Sequence, residues 1–256
     1  IKTILQQGRL NMDNLGDRMK GYESAWAQVL PERTPVIVRV DGKAFHTSTR
    51  GLSKPVDIRI ANAMKATAVG LLNSMQNAVF AYQQSDEISI LMTNYSGEYT
   101  QSWYGNKIQK IVSVSAALAT RTFNDAVNLD KELEVRNWLF DARAFSLPRE
   151  EVRNYFVWRQ VDAKRNSVSS LARCHFSQKE LQGKPTKEMI EMLNGIGIHW
   201  DAAHSHYRLG VVITKGEDRH LHIHGVTPNF VTEKSFFEAL VNPASEVQLV
   251  QELTIL

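Results

Sequence analysis

The run Val36-Ile37-Val38-Arg39-Val40, closed by Asp41-Gly42, sets the reading of the fold. Its β-branched side chains predict a buried strand, and the Asp-Gly pair predicts a turn where it ends. Working outward, residues 57–75 carry Ile60, Met64, Leu71, Leu72 and Met75 at helical spacing, among alanines and without proline. Residues 78–83 and 88–93 are two short strand-like runs with only Gln84 to Glu87 between them, which predicts a hairpin. Helical spacing returns over 107–127 through Ile108, Ile111, Val114, Ser115, Leu118 and Phe123, and a strand pattern over 138–145, closed by Pro148. The order strand, helix, strand, strand, helix, strand is the split βαβ arrangement of a ferredoxin-like α+β fold, occupying residues 31–148.

Residues 1–30 read as an N-terminal segment, of which 1–11 precede Met12 and are treated as an upstream remnant outside the fold. Residues 149–256 read as a helical and mixed region packed on the sheet. Basic helices are predicted over 149–165 and 168–175, with a smaller mixed part after Gly183.

The chain has 256 residues, 43% hydrophobic and 22% charged, which is globular rather than disordered composition. A net charge of +3 excludes a histone-like polycation. The sum hides a division, however. Residues 136–173 hold eight Lys and Arg against four acids, and 101–124 hold three against none, whereas 216–256 hold two against six. A single cysteine, Cys174, removes any intramolecular disulfide framework or multi-cysteine zinc site. It fits a reducing compartment, and no apolar run has the length of a membrane span, so a cytoplasmic protein is expected.

In a split βαβ sheet the first and third strands are adjacent and antiparallel. The end of the first strand therefore lies beside the start of the third, bringing Asp41 to Asp86-Glu87 at one sheet edge. Unpaired carboxylates so placed would repel and raise each other's pKa; a divalent cation resolves this, and hard oxygen donors favour Mg²⁺. Metal ions held between carboxylates and a triphosphate suit in-line phosphoryl or nucleotidyl transfer. The turn residues Gly42, Lys43, Ala44, Phe45 and His46 offer backbone N–H groups to phosphates, and Lys54, Lys107 and Lys110 offer cations. The plainer alternative is a solvated strand-end turn and hairpin.

The residues Arg39-Val40-Asp41-Gly42-Lys43-Ala44-Phe45-His46, Lys54-Pro55-Val56-Asp57-Ile58-Arg59 and Ser85-Asp86-Glu87-Ile88-Ser89 resemble the tRNA-His guanylyltransferase family. Phe140-Asp141-Ala142-Arg143 and Tyr155-Phe156-Val157-Trp158-Arg159-Gln160-Val161-Asp162 continue the resemblance in order, and Met19-Lys20-Gly21-Tyr22-Glu23 looks like its opening segment. The resemblance implies a polymerase-like palm that adds nucleotides 3′-to-5′ at the 5′ end of tRNA, with two Mg²⁺ ions per site and ATP and GTP as substrates. A 5′-monophosphate is first activated, usually by adenylylation, and the 3′-hydroxyl of the incoming nucleotide then attacks it. By position, Asp41, the Gly42 carbonyl and Asp86 would hold the metals, with Glu87 assisting. Ser85, His46 and Lys43 would meet the triphosphate, and Asp57 would join the nucleotide site. A homotetramer, a dimer of dimers, is also implied.

Where eukaryotic members carry His-Ile-Asn-Asn-Leu-Tyr-Asn, this chain reads Lys164-Arg165-Asn166-Ser167-Val168-Ser169-Ser170. That pattern resembles the bacterial and archaeal branch and implies template-dependent 5′-end repair ahead of strict tRNA-His guanylylation. Arg159, Lys164, Arg165, Asn166 and Arg173 are the candidate tRNA contacts, the alternative for the cations being a solvated helix face. Trp158 is expected in the core, although stacking on bases is a second reading. His220, His222 and His224 alternate with Leu221 and Ile223, so a strand would align three imidazoles for a transition metal, with His204 and His206 nearby, or simply expose them. Two other functions remain open: a nucleotide cyclase, whose Gly-Gly-Asp/Glu-Glu-Phe turn is absent here, and a non-catalytic tRNA-binding module.

Overall fold

The computed structural model describes residues 2–216 and 218–242, with side chains from residue 14 onward. Helix α1 (Lys2–Ala25) leads into β1 (Pro35–Gly42), a short turn of helix α2 (Phe45–Ser48) and α3 (Ile58–Ser74). The hairpin β2 (Ala78–Gln84) and β3 (Glu87–Thr93) follows, then α4 (Ile108–Val127), α5 (Lys131–Glu134) and β4 (Phe140–Ser146). The chain continues through α6 (Arg149–Ala172), α7 (Gln178–Leu181), α8 (Thr186–Gly195), α9 (Ser205–Leu209), β5 (Val211–Lys215), β6 (Leu221–Ile223) and α10 (Lys234–Val241).

Among the described residues one sheet runs β4-β1-β3-β2-β5-β6, and every pairing is antiparallel. Its first four strands have the order expected of the ferredoxin-like reading. The sheet does not stop at residue 148: β5 adds to β2 with Phe80 opposite Thr214, so the C-terminal region is hydrogen-bonded into the palm as well as packed on it.

Alternation divides β1 between two cores. Val36, Val38 and Val40 face α3 and α4, packing with Met64, Leu71, Leu72, Ile111 and Phe123. Ile37 points the other way, into a second core built with Phe80, Tyr82 and Leu91 under Tyr155 and Phe156 of α6 and Phe237 of α10. Helix α6 is one continuous 24-residue element, where two were expected. Neither glycine nor proline interrupts 166–168, and Ser167 and Val168 are buried there, the serine hydroxyl donating to the Lys164 carbonyl at 2.9 Å.

Asp57 has a structural task. It caps α3 by accepting from the Arg59 amide at 3.0 Å, and it pairs bidentately with the Arg59 guanidinium at 3.0 and 2.8 Å. Arg59 also reaches Asp130 and Glu132, tying the segment that carries Lys54 to α5. These bonds hold the Asp57 pKa at about 2, below its ordinary 3.8, the Arg59 side chain acting most. A depressed pKa stabilises the fold above the ordinary value, and the contribution disappears as pH falls through the folded one. Asp57→Ala should therefore cost about 1–2 kcal/mol at pH 7. In urea melts the gap to wild type should narrow between pH 4 and pH 2; a gap unchanged with pH would mean that the carboxylate charge is irrelevant.

Candidate active site

The register of three strands assembles a carboxylate edge. Asp41 lies opposite Glu87 on β3 and opposite Asp141 on β4. Directly opposed residues project from the same face, so these carboxylates share the face that carries α6. Asp86 stands beside them in a two-residue turn between the paired residues Gln84 and Glu87. Ser85 makes that turn at φ 51, and the Asp86 carbonyl accepts from the Gly42 amide at 3.0 Å. One hydrogen bond thus joins the two turns that bear Asp41 and Asp86.

The crowding is visible in the acidities. Burial, then the negative charges of Asp86, Glu87 and Asp141, push Asp41 up to about 6 against the pull of Arg143. Burial also raises Asp86, opposed by its hydrogen bonds and by His46. A group of oxygen donors that resist ionisation together suits a hard divalent cation. Among the described residues no trio of His, Cys, Asp or Glu is gathered into an all-protein cage. Two carboxylates and a carbonyl on an open edge are instead the kind of partial shell magnesium accepts, since it keeps waters and substrate phosphates.

The turn after β1 is fixed from below. Phe45 is buried against Phe123, Trp138 and Phe140 at 4.8–5.4 Å, so its side chain anchors the turn and only its backbone can serve a ligand. Its ring passes so close to Gly42 that an added Cβ there would lie 2.3 Å from it, which requires glycine. Ala44 adopts φ 55 and accepts from the Thr47 and Ser48 amides. The Lys43 amide donates to the Leu139 carbonyl at 2.9 Å, so Lys43 offers its side chain rather than its N–H. Lys43, Ala44, His46 and Ser85 are exposed around the edge.

Several expected residues stand elsewhere. Arg159 is buried, not on a solvated face: it donates to both Glu87 oxygens, at 2.8 and 2.9 Å, and to Asp162 at 3.2 Å. Glu87 is consequently engaged by α6, and Asp162 also takes Arg165 and Asn166, at the exposed flank of that helix. Lys107 and Lys110 lie at the opposite end of the sheet. They begin α4, whose last turns bring Phe123 to Phe45, while its first turn is bonded beside Leu30 and Pro31. Twenty helical residues separate the two ends by about 30 Å. Asp57 is the helix cap described above. Lys54 and Arg173, expected to serve nucleotide and tRNA respectively, share a cleft of about 600 Å³ with Ser170 and Cys174. Lys164 lies 5.5 Å from the Trp200 ring.

Of the two readings of the histidines, a row of metal ligands is not found among the described residues. The His224 ring bonds the Thr214 hydroxyl at 3.1 Å and packs against Phe236, while His222 lies edge-on to it at 4.6 Å. The core placement expected of Trp158 is also overturned, since it is 54% exposed.

Three functional candidates were missed. Asp141 faces Asp41, and Arg39 and Arg143 face each other one step along the same sheet face. Arg39 Nε is buried without a hydrogen-bond partner, and its contact with Glu87 is a long 3.9 Å. Strand parity would have found both arginines, Arg39 from Asp41 on β1 and Arg143 from Asp141 on β4.

In chelated protein the elevated pKa of Asp41 makes its ionisation a cost to the fold. The cost grows as pH rises from the ordinary 3.8 to about 6 and stays in force above that. Asp41→Asn should accordingly melt higher than wild type at pH 7 and no higher at pH 4. Glu87→Ala should cost about 2–4 kcal/mol by leaving the buried Arg159 with Asp162 as its remaining carboxylate partner. A melting loss below about 1 kcal/mol would show the pair to be solvated.

A family profile described as tRNAHis guanylyltransferase matches residues 16–148, just over half of the chain. A bacterial tRNA(His) guanylyltransferase-like protein solved in complex with ATP is 43% identical, with a TM-score of 0.85, covering 89% of this chain and 99% of that one. A bacterial guanylyltransferase-like protein in complex with GTP is 39% identical with a TM-score of 0.75, covering 89% and 98%. The tRNA(His) guanylyltransferase of Schizosaccharomyces pombe is 33% identical over 156 residues, 59% of this chain and 56% of that protein. With its palm sheet and carboxylate edge, the chain belongs to the tRNA-His guanylyltransferase family of nucleotidyltransferases.

Proposed function

We propose that the carboxylate edge catalyses template-dependent 3′-to-5′ addition of nucleotides to the 5′ end of tRNA. The observation that carries this reading is the juxtaposition of Asp41 and Asp86, crowded, reluctant to ionise and linked by the Gly42–Asp86 hydrogen bond. Asp41, Asp86 and the Gly42 carbonyl would hold two magnesium ions. When bound, magnesium would lower the pKa of the attacking hydroxyl and offset charge on the reacting phosphate.

The chain's own residues bind and orient. Lys43, His46 and Ser85, exposed around the edge, would take the phosphates of ATP or GTP. Arg39 and Arg143, one step from the carboxylates on the same face, would neutralise phosphate charge there. The guanidinium of Arg39, with a buried Nε still lacking an acceptor, favours an anion beside it. Lys54 and Arg173 line a common cleft and would hold a further phosphate group of the nucleotide or RNA. Lys164, Arg165 and Asn166 lie exposed along α6 and would follow the tRNA backbone. Glu87 acts through position: clamped by Arg159, it fixes the start of β3 and with it the Asp86 turn.

Repair of truncated ends is favoured over strict tRNA-His guanylylation by the Lys164–Ser170 sequence and by the likeness to bacterial guanylyltransferase-like proteins. A cytoplasmic homotetramer completes the proposal. Among the described residues, no helix is long and apolar enough to cross a membrane.

The test is extension of a 5′-monophosphorylated tRNA lacking its first nucleotide, with magnesium, ATP and the templated triphosphate. One complementary nucleotide should be added at the 5′ end, and Asp86→Ala should reduce the rate by about a thousandfold or more. Addition of guanosine irrespective of the opposing base would favour strict guanylylation. No extension on any tRNA, or cyclic product from GTP alone, would refute the proposal.

A further inference from the structure

The side of α6 beside the carboxylate edge carries an aromatic that packing does not explain. Tyr155 and Phe156 are buried, Tyr155 through a 2.8 Å hydrogen bond with Ser89 and an edge contact with Phe145 of β4. Trp158, one turn further, lies 5.9 Å edge-on to Tyr155 but is 54% exposed. Its chain neighbour Arg159 bonds Glu87 at the carboxylate edge, where Asp141 and Arg143 of β4 are themselves exposed. Val161 is exposed as well, and the exposed Arg165 follows one turn later.

The indole is also held in place. The Arg159 guanidinium lies 4.4 Å from its ring, and that guanidinium cannot swing away because both Glu87 oxygens and Asp162 hold it. An exposed, pre-oriented aromatic plane beside a phosphate-handling edge is the device by which proteins take unpaired nucleobases, since every base has a π-face. Ordering costs little here because the ring is fixed before any ligand arrives.

Resting on the nucleotidyl-transfer reading above, we propose that Trp158 is a stacking platform for a nucleobase, at the 5′ end of the RNA or on the triphosphate. Arg159 is then a positioning residue that sets the plane of the platform and couples it, through Glu87, to the strand that begins beside Asp86. This gives Arg159 a task that a phosphate contact would not.

The test is binding by Trp158→Ala, Trp158→Leu and Trp158→Phe, with truncated 5′-monophosphorylated tRNA in one arm and ATP or GTP with magnesium in the other. Ala and Leu should weaken one arm about tenfold, and Phe should restore it to within about threefold of wild type. The weakened arm identifies where the base comes from. In the tRNA arm the salt slope should not change, because no phosphate contact is lost. Arg159→Lys should weaken the same arm in the wild-type background and add nothing to Trp158→Ala.

Leu behaving like Phe would reduce Trp158 to an apolar filler. Wild-type affinity in all three variants, or a change of oligomeric state in Trp158→Ala, would overturn the platform. Wild-type protein that binds neither ligand would contradict the nucleotidyl-transfer reading too, which separates the two failures.

Discussion

One antiparallel register carries the rest of the structure. Asp41 is opposed by Glu87 on one flank and Asp141 on the other, so a single position on the central strand gathers negative charge from three strands. Such a gathering opposes folding, and the surrounding structure contains it. Arg159 comes from α6 to take both oxygens of Glu87, Arg143 opposes the charge on Asp41, and the Gly42–Asp86 hydrogen bond keeps the two turns together. Burial and the neighbouring negative charges on Asp41, and burial on Asp86, are what a cation would offset.

Rigidity comes from the opposite face. Phe45 reaches beneath Gly42 into the aromatic cluster of Phe123, Trp138 and Phe140, so the turn after β1 is anchored in the α3–α4 core. The Asp57–Arg59 pair, extended to Asp130 and Glu132, anchors the next segment, which bears Lys54. Charged side chains can then stand exposed around the edge without the backbone beneath them moving. Catalytic groups placed on rigid elements keep their geometry when substrate charge arrives.

Much of this was legible because the signals were local. The β-branched run before Asp41-Gly42 and the short gap between the hairpin strands define the central pairing, and the pairing places Asp41 by Asp86 without further information. What was missed depended on distance or direction. The partner of Arg159 is Glu87, 72 residues away, and a cation on a basic helix looks solvated until that partner is known. The position of Lys107 and Lys110 was legible in the topology: β3 starts at the carboxylate edge and runs away from it, so the helix after it must begin at the far end of its own chain's sheet. Asp57 precedes a helix and caps it, a task that its residue type and position already signal. The single continuous α6 and the addition of β5 to β2 rest on packing, which periodicity does not report.

The most direct measurement is the position of a bound metal in crystals grown with manganese in place of magnesium and a non-hydrolysable triphosphate. Anomalous scattering should place the ions between Asp41, the Gly42 carbonyl and Asp86, with the triphosphate toward Lys43 and His46 and Glu87 still clamped by Arg159. Metal and triphosphate bound away from Asp41 and Asp86 would contradict the account.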